Sequence, residues 1–297
     1  SYLGNERVEI TDLCSAIEKN ENEIVEQLLN HITIDINIPY KLKRDWKFGY
    51  EGDTEPCKFK EIIKHPLYIA IENNNFEIVK LLTSHKSLDI NFQNIIKNVK
   101  IKSDSYRGDQ TSFKRYYELI ETSFYLAVEK RNLKIIELLL TNKEINVNIP
   151  MTLTDYWNYR NLRNGGGLSF NEKKRKTQDK TGLYLAIEQN DIEIIKLLLS
   201  CENLDVNNKN VFSNCWLKHP VYYNICGRYD EERQRKMDSF CIKENICLTA
   251  LHFAIEIQNV EIVKLLLAFK NIDVNILSNN SKINKKSVIG HVILDND

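Results

Sequence analysis

The chain has 297 residues, which is enough for one large domain or two ordinary ones. Its 41 basic and 41 acidic residues cancel, which argues against a protein that binds polyanions over its whole surface, because such domains are usually strongly basic. Hydrophobic residues make up 42% of the chain, which argues against wholesale disorder, and no apolar stretch reaches the length of a membrane-spanning helix.

The seven cysteines form no C-x-x-C motif, and their number is odd. The first residues, 1–12, are polar and charged and contain no apolar core of a signal peptide. We therefore expect reduced thiols and a cytoplasmic protein.

Five segments of the chain align with one another. They are residues 12–38, 65–92, 122–149, 182–208 and 249–276. Each begins with Leu-Tyr-x-Ala-Ile-Glu or a close variant, continues through an Asn-rich break, and ends in a run with apolar residues at helical spacing. Each segment therefore predicts two short helices, and because such helices are unstable alone, neighbouring segments must stack.

The Asn-rich break between the two helices predicts how the first helix ends and how the second begins. Asn tolerates the left-handed conformation that ends a helix. Three asparagines also stand three residues before a glutamate, a spacing that resembles a capping box for the second helix. These pairs are Asn20 with Glu23, Asn74 with Glu77 and Asn190 with Glu193.

The fifth segment carries the most informative motifs. Residues 249–252 read Thr-Ala-Leu-His, residues 261–267 read Glu-Ile-Val-Lys-Leu-Leu-Leu, and residues 273–275 read Asp-Val-Asn. These motifs resemble the opening, second-helix and closing signatures of the ankyrin repeat family. The resemblance implies an all-α fold, an ankyrin-type α-solenoid of helix-turn-helix repeats with extended hairpin or loop inserts between repeats. It also implies protein–protein interaction, with the hairpin fingers and first helices facing the partner.

Four inserts distinguish this chain from a regular array of repeats. They follow the closing motifs of the first four segments. They are residues 39–64, 93–121, 150–181 and 209–248, 127 residues in total, and they hold 19 of the 28 aromatic residues. Loops this long are usually functional or disordered, and the aromatic content argues against disorder. The inserts carry a net charge of +10 and the remainder −10. We interpret the whole chain as one repeat domain, which residues 278–297 close as a capping half-repeat.

Two interpretations of this charge pattern stay open from the sequence alone. The inserts either fold over acidic helices of the same molecule or form a basic, aromatic-rich surface for an acidic partner. The second predicts a non-catalytic scaffold or adaptor. Its partner-binding residues would be Trp46, Tyr50, Arg107, Tyr116, Trp157, Arg160, Arg163, Trp216, Tyr223 and Arg228. A structural role in a cytoskeletal, microtubule-associated assembly is an alternative, and binding of RNA or single-stranded nucleic acid is a more distant one.

The remaining motifs favour structural interpretations. The basic run at 173–176 is typical of a solvated loop, with nuclear import or anion contact as the alternative. Residues 165–167 are three glycines that lack the Lys-Ser/Thr of a phosphate loop and predict a turn. The fourth insert holds Cys215, His219, Cys226, Cys241 and Cys247, whose spacing matches no common zinc pattern. We predict no catalytic residue, no cofactor and no metal.

Overall fold

The computed structural model describes residues 3–47, 57–106, 109–162, 169–221 and 240–278. Within these ranges the chain forms five pairs of helices and nine strands. The pairs are α1 (Asp12–Glu18) with α2 (Asn22–Leu29), α3 (Pro66–Glu72) with α4 (Phe76–Thr83), α5 (Ser123–Glu129) with α6 (Leu133–Leu140), α7 (Gly182–Glu188) with α8 (Ile192–Leu199), and α9 (Ala250–Glu256) with α10 (Val260–Leu267).

The residues that join the two helices of each pair adopt a left-handed backbone. Asn20, Asn74 and Asn190 have φ angles of 58°, 57° and 54°, and Arg131 and Gln258 occupy the same position in their repeats with φ angles of 53° and 57°. Asn tolerates this conformation better than most residues because its short polar side chain bonds locally.

The capping-box prediction is wrong by one residue. An N-cap needs an extended backbone, and the left-handed asparagines cannot supply one. The residue that follows is the N-cap instead, as at Asn75, whose side chain accepts the N–H of Ile78 at 3.1 Å, and at Asp191, which accepts that of Ile194 at 3.2 Å.

The closing Asp-x-Asn motif ties each repeat to the next. The Asn37 side-chain amide donates to the carbonyl of Ser87 at 2.6 Å and accepts the N–H of Asp89 at 2.8 Å. Asn91, Asn148 and Asn207 make the same two bonds to the following repeat. The four asparagines therefore set the stacking distance between all five repeats, because each bridges two backbone groups at once.

The all-α expectation is wrong, because the inserts form a nine-stranded antiparallel sheet. The strands are β1 (Leu3–Glu9), β2 (Tyr40–Lys47), β3 (Cys57–Lys64), β4 (Gln93–Tyr106), β5 (Asp109–Thr122), β6 (Met151–Leu162), β7 (Ser169–Lys180), β8 (Asn210–Val221) and β9 (Phe240–Leu248). Each strand pairs with its neighbours in chain order. Each insert contributes two strands, and a helix pair separates one insert from the next.

The sheet is continuous because the two layers have the same repeat distance. Neighbouring strands lie about 4.8 Å apart, so a two-stranded insert is roughly 10 Å wide. Packed helices lie about 8–10 Å apart. Stacked repeats therefore bring the outer strands of consecutive inserts within hydrogen-bonding distance, as for β3 and β4 or β5 and β6.

One row of cross-strand partners packs the sheet against the helices. Its positions are Val8, Leu42, Ile62, Ile96, Leu119, Leu153, Gln178, Phe212 and Ile246. Leu42 and Ile62 are buried, and Leu119 and Leu153 pack against the helical core. This core runs from the first repeat to the fifth, and the alanine of each first helix is buried within it. We call the nine cross-strand positions in the sheet the apolar row.

In three repeats, the residue just before the N-cap of the first helix forms a second link between the layers. Lys64 and Lys180 end their strands and pair with Glu72 and Glu188 of the following helix, with shortest N–O distances of 2.5 and 2.7 Å. In the third repeat the equivalent residue is Glu121, which is 3% exposed. It accepts the hydroxyl of Tyr68, in the preceding repeat, at 2.6 Å. Burial raises the pKa of Glu121 to about 7, and nearby carboxylates such as Glu129 add to the rise.

Candidate protein-interaction surface

A second row of cross-strand partners lies farther from the helices than the apolar row. Its members are Trp46, Lys58, Lys100, Arg115, Trp157, Lys174 and Trp216, one from each strand from β2 to β8. It collects all three tryptophans of the chain and four cations. We call it the cation–tryptophan row.

The cation–tryptophan row and the apolar row belong to the same face of the sheet. Four residues separate them on each of these strands, as between Leu119 and Arg115 or Leu153 and Trp157. Alternate residues of a strand share a face, and four residues span about 13 Å. The face that packs on the helices at its base therefore continues outward as a surface that carries the cation–tryptophan row.

The described side chains in the middle of this row are held in fixed positions. Arg115 forms a two-pronged ion pair with Asp155, in which Nε and Nη2 donate at 2.9 and 2.7 Å. The Nζ atom of Lys174 lies 4.5 Å from the centre of the Trp157 ring, which is a favourable cation–π distance. The hydrogen bonds that Arg115 donates to Asp155 raise the pKa of the guanidinium. These contacts hold a guanidinium and an indole on adjacent strands.

A shallow pocket lies beside this ion pair. Asn98, Lys100, Arg115 and Tyr117 line it, and its volume is about 330 Å³. Lys100 is exposed and has no ion pair within the described part of the chain. Burial raises the pKa of the Tyr117 phenol, as do nearby carboxylates. All four side chains can donate a hydrogen bond.

The opposite face of the sheet balances its charges near the helices. Lys97 lies between two carboxylates, 3.6 Å from Glu61 and 3.1 Å from Glu118. Tyr116 is on this face, and burial, with help from Glu118, raises its pKa to about 12. In the cation–tryptophan row, Arg115 pairs with Asp155.

Comparison with known families matches two of the repeats. An ankyrin repeat model matches residues 248–279, and a second ankyrin repeat model matches residues 63–92. The chain contains ankyrin repeats. The matched segments are the repeats built on α9–α10 and α3–α4, and the first of them ends in the Asp-x-Asn motif that the other repeats use to join their neighbours.

Ankyrin repeats generally mediate protein–protein interaction, and ankyrin-repeat domains are typically non-catalytic. A comparison with curated proteins gave no match. Each helix in the described part of the chain is too short or too polar to span a lipid bilayer. The described residues also hold no group of three or more His, Cys, Asp or Glu side chains that could bind a metal ion.

The structure divides the ten residues predicted to bind a partner. Trp46, Trp157 and Trp216 occupy positions in the cation–tryptophan row. Tyr116 and Arg160 occupy positions on the opposite face, since each lies an odd number of residues from a row member on its own strand. The other five, Tyr50, Arg107, Arg163, Tyr223 and Arg228, lie outside the described residues. Partner binding by any of the ten stays a prediction.

The basic run at 173–176 lies in β7, so the expectation of a solvated loop is wrong. Lys174 and Lys176 occupy positions on the face of the cation–tryptophan row, whereas Arg175 is on the other face. The glycines at 165–167 and Cys226 lie outside the described residues.

Sequence reasoning missed the four cations of the row, Lys58, Lys100, Arg115 and Lys174, and also Asp155. The alternation of the strands was readable in part, as in residues 40–47, where Tyr40, Leu42 and Trp46 alternate with charged residues and Arg44 interrupts the pattern. The partners across strands were not readable, because the register between different inserts depends on how the helical repeats stack.

Proposed function

We propose that the protein is a non-catalytic scaffold or adaptor that binds an acidic segment of a partner protein on the cation–tryptophan row. The single observation that carries this proposal is the alignment of four cations and three tryptophans across seven adjacent strands. The expected cytoplasmic location belongs to the same proposal.

The composition of the row suits a protein interface. Trp and Arg are enriched among residues that carry most of the binding energy. Arg115 and Trp157 are neighbouring partners on β5 and β6, and Asp155 and Lys174 hold them in place before a partner arrives. A fixed side chain loses less conformational entropy when it binds, so this arrangement favours affinity.

Charge complementarity favours an acidic partner segment. The next row toward the helices adds Arg44, Lys60 and Lys176 on the same face. The same row holds Glu6, which pairs with Arg44 at 2.7 Å, and also Asp155 and Glu244. The excess of cations on this face therefore comes from the four cations of the cation–tryptophan row. An acidic segment laid across the strands would meet these charges along its length, and its association would weaken with added salt.

Two observations favour protein over nucleic acid. Ankyrin repeats indicate protein partners. One face of the Trp157 ring carries Lys174, and a base that stacked on this side would have to displace it.

Charge reversal on the two faces of the sheet tests the proposal. The double variant Lys100→Glu/Lys174→Glu changes the proposed surface. The matched control Lys114→Glu/Arg175→Glu makes the same change in net charge at exposed positions on the other face. Binding to a fluorescent poly-glutamate peptide is measured by anisotropy at several salt concentrations, with a single-stranded RNA and polymerised tubulin as further probes.

We expect the wild type and the control to bind the peptide and the first variant to bind at least about tenfold more weakly. Equal loss in both double variants would overturn the assignment of the face. Binding of RNA in preference to the peptide would replace the proposal with the nucleic-acid alternative. Face-specific binding to tubulin filaments with no binding to the peptide would favour the cytoskeletal role.

A further inference from the structure

Two described cations, Lys100 and Arg115, stand directly opposite each other in the centre of the cation–tryptophan row. Lys58 on β3 is the register partner of Lys100 on β4, and Lys100 is the partner of Arg115 on β5. Partners of this kind have Cβ atoms about 4.5–5.5 Å apart, and like charges there are destabilising. An anion between them would remove this repulsion, so the arrangement favours anion binding.

The pocket of about 330 Å³ opens at this point, between Lys100 and Arg115. The Asn98 amide and the Tyr117 hydroxyl complete its lining, so a ligand would meet four groups that can donate hydrogen bonds. A tetrahedral or planar oxyanion can accept several such bonds at once, and bonds between ionised groups are the stronger kind.

The ion pair with Asp155 does not exhaust the donors of Arg115. A guanidinium has five N–H groups, and the carboxylate of Asp155 accepts from Nε and from Nη2. The N–H groups of Nη1 and the second one of Nη2 have no acceptor among the described residues. Asp155 thus orients the guanidinium plane, and its single negative charge is smaller than the combined charge of Lys100 and Arg115.

We propose that this pocket is an oxyanion subsite that receives a carboxylate or a phosphate group of the partner protein. This inference rests on the proposed function, because it identifies which group of an acidic segment docks between β4 and β5. Lys100 supplies the mobile charge, Arg115 supplies the oriented hydrogen bonds, and Asn98 and Tyr117 bind the remaining oxygens. A phosphate monoester carries a charge of about −1.5 to −2 at pH 7, which two cations can neutralise.

The test titrates the full chain with small probes and follows backbone amide resonances by ¹H–¹⁵N NMR. The probes are inorganic phosphate and acetate, with chloride at matched ionic strength as the reference. We expect phosphate or acetate to give saturable shifts at the amides of Lys100 and Arg115. Saturation by phosphate alone would identify a phosphorylated residue as the docking group, and saturation by acetate as well would identify acidic side chains.

Two variants make the test specific. Lys100→Gln should weaken binding of the small anion by about tenfold, the loss expected for one charge-assisted hydrogen bond. Lys114→Gln removes a cation from the neighbouring strand position on the opposite face and should leave binding unchanged. Shifts that never saturate, or that fall equally in both variants, would overturn the subsite.

The outcome is separable from that of the proposed function. Saturable phosphate binding without any binding of the poly-glutamate peptide would uphold the pocket and contradict the acidic-segment proposal. Peptide binding that Lys100→Gln leaves unchanged, together with no small-anion binding, would contradict the pocket and leave the wider surface in place.

Discussion

The buried carboxyl group of Glu121 should make the stability of the protein fall as the pH rises. Its pKa is about 7 in the folded chain, against an ordinary value of 4.5, because burial disfavours its charged form. Between these values the unfolded chain has lost the proton that the folded chain keeps, so folding becomes progressively less favourable. A shift of this size corresponds to about 3 kcal/mol, reached in full at about pH 8.

The variant Glu121→Gln measures this effect. The glutamine carbonyl can still accept the Tyr68 hydroxyl, which now bonds to Oε1 of Glu121 at 2.6 Å, but it has no charge to lose. Urea denaturation of both proteins between pH 4.5 and 8 gives two free energies of unfolding at each pH. We expect the variant to gain about 3 kcal/mol relative to the wild type across this range.

An exposed carboxylate in the same repeat provides the control. Glu137→Gln on α6 removes one negative charge from the surface and separates burial from a general change of net charge. A difference between Glu121→Gln and the wild type that stays constant from pH 4.5 to 8 would refute the reasoning. The same would hold if Glu137→Gln gave an equal gain.

Three further predictions follow from the helical layer. Burial lowers the pKa of His65 to about 4, so the unfolded chain takes up the proton first as the pH falls below 6.5, and the free energy of unfolding of the wild type should fall by about 3 kcal/mol between pH 7 and pH 4. His65→Thr should abolish this loss, and urea denaturation at pH 4 and 7 would measure it. Gln258→Gly should stabilise the protein by about 0.5–1 kcal/mol in the same assay, because φ is 57° there. Leu139→Ala should lower the free energy of unfolding by about 2–5 kcal/mol, since this side chain is fully buried.

The helical layer was largely predictable because its interactions are local in the sequence. Matching positions of the repeats hold five alanines, five Asn-rich breaks and the Asp-x-Asn motifs. Each of these features is needed for one turn or one packing contact. The capping box failed for a local reason too. The left-handed residue and the N-cap are adjacent and both favour Asn, so spacing alone did not tell Asn74 from Asn75.

Comparison of the repeats does not predict the role of Glu121. Its position corresponds to Lys64 and Lys180, which pair with a glutamate of the following helix. The sequence gives no reason for a carboxylate there. The structure provides one, because Glu121 reaches Tyr68 in the preceding repeat, 53 residues earlier in the chain.

The sequence by itself determined that the 127 insert residues carry most aromatic residues and a net charge of +10. It did not determine that they form one sheet, since a strand such as β4 pairs with one neighbour in its own insert and another across a helix pair. Only the stacking of the repeats fixes that register. The tertiary structure therefore decided that Lys100, Arg115 and Trp157 stand side by side, because helices and paired strands repeat at nearly the same distance of about 10 Å.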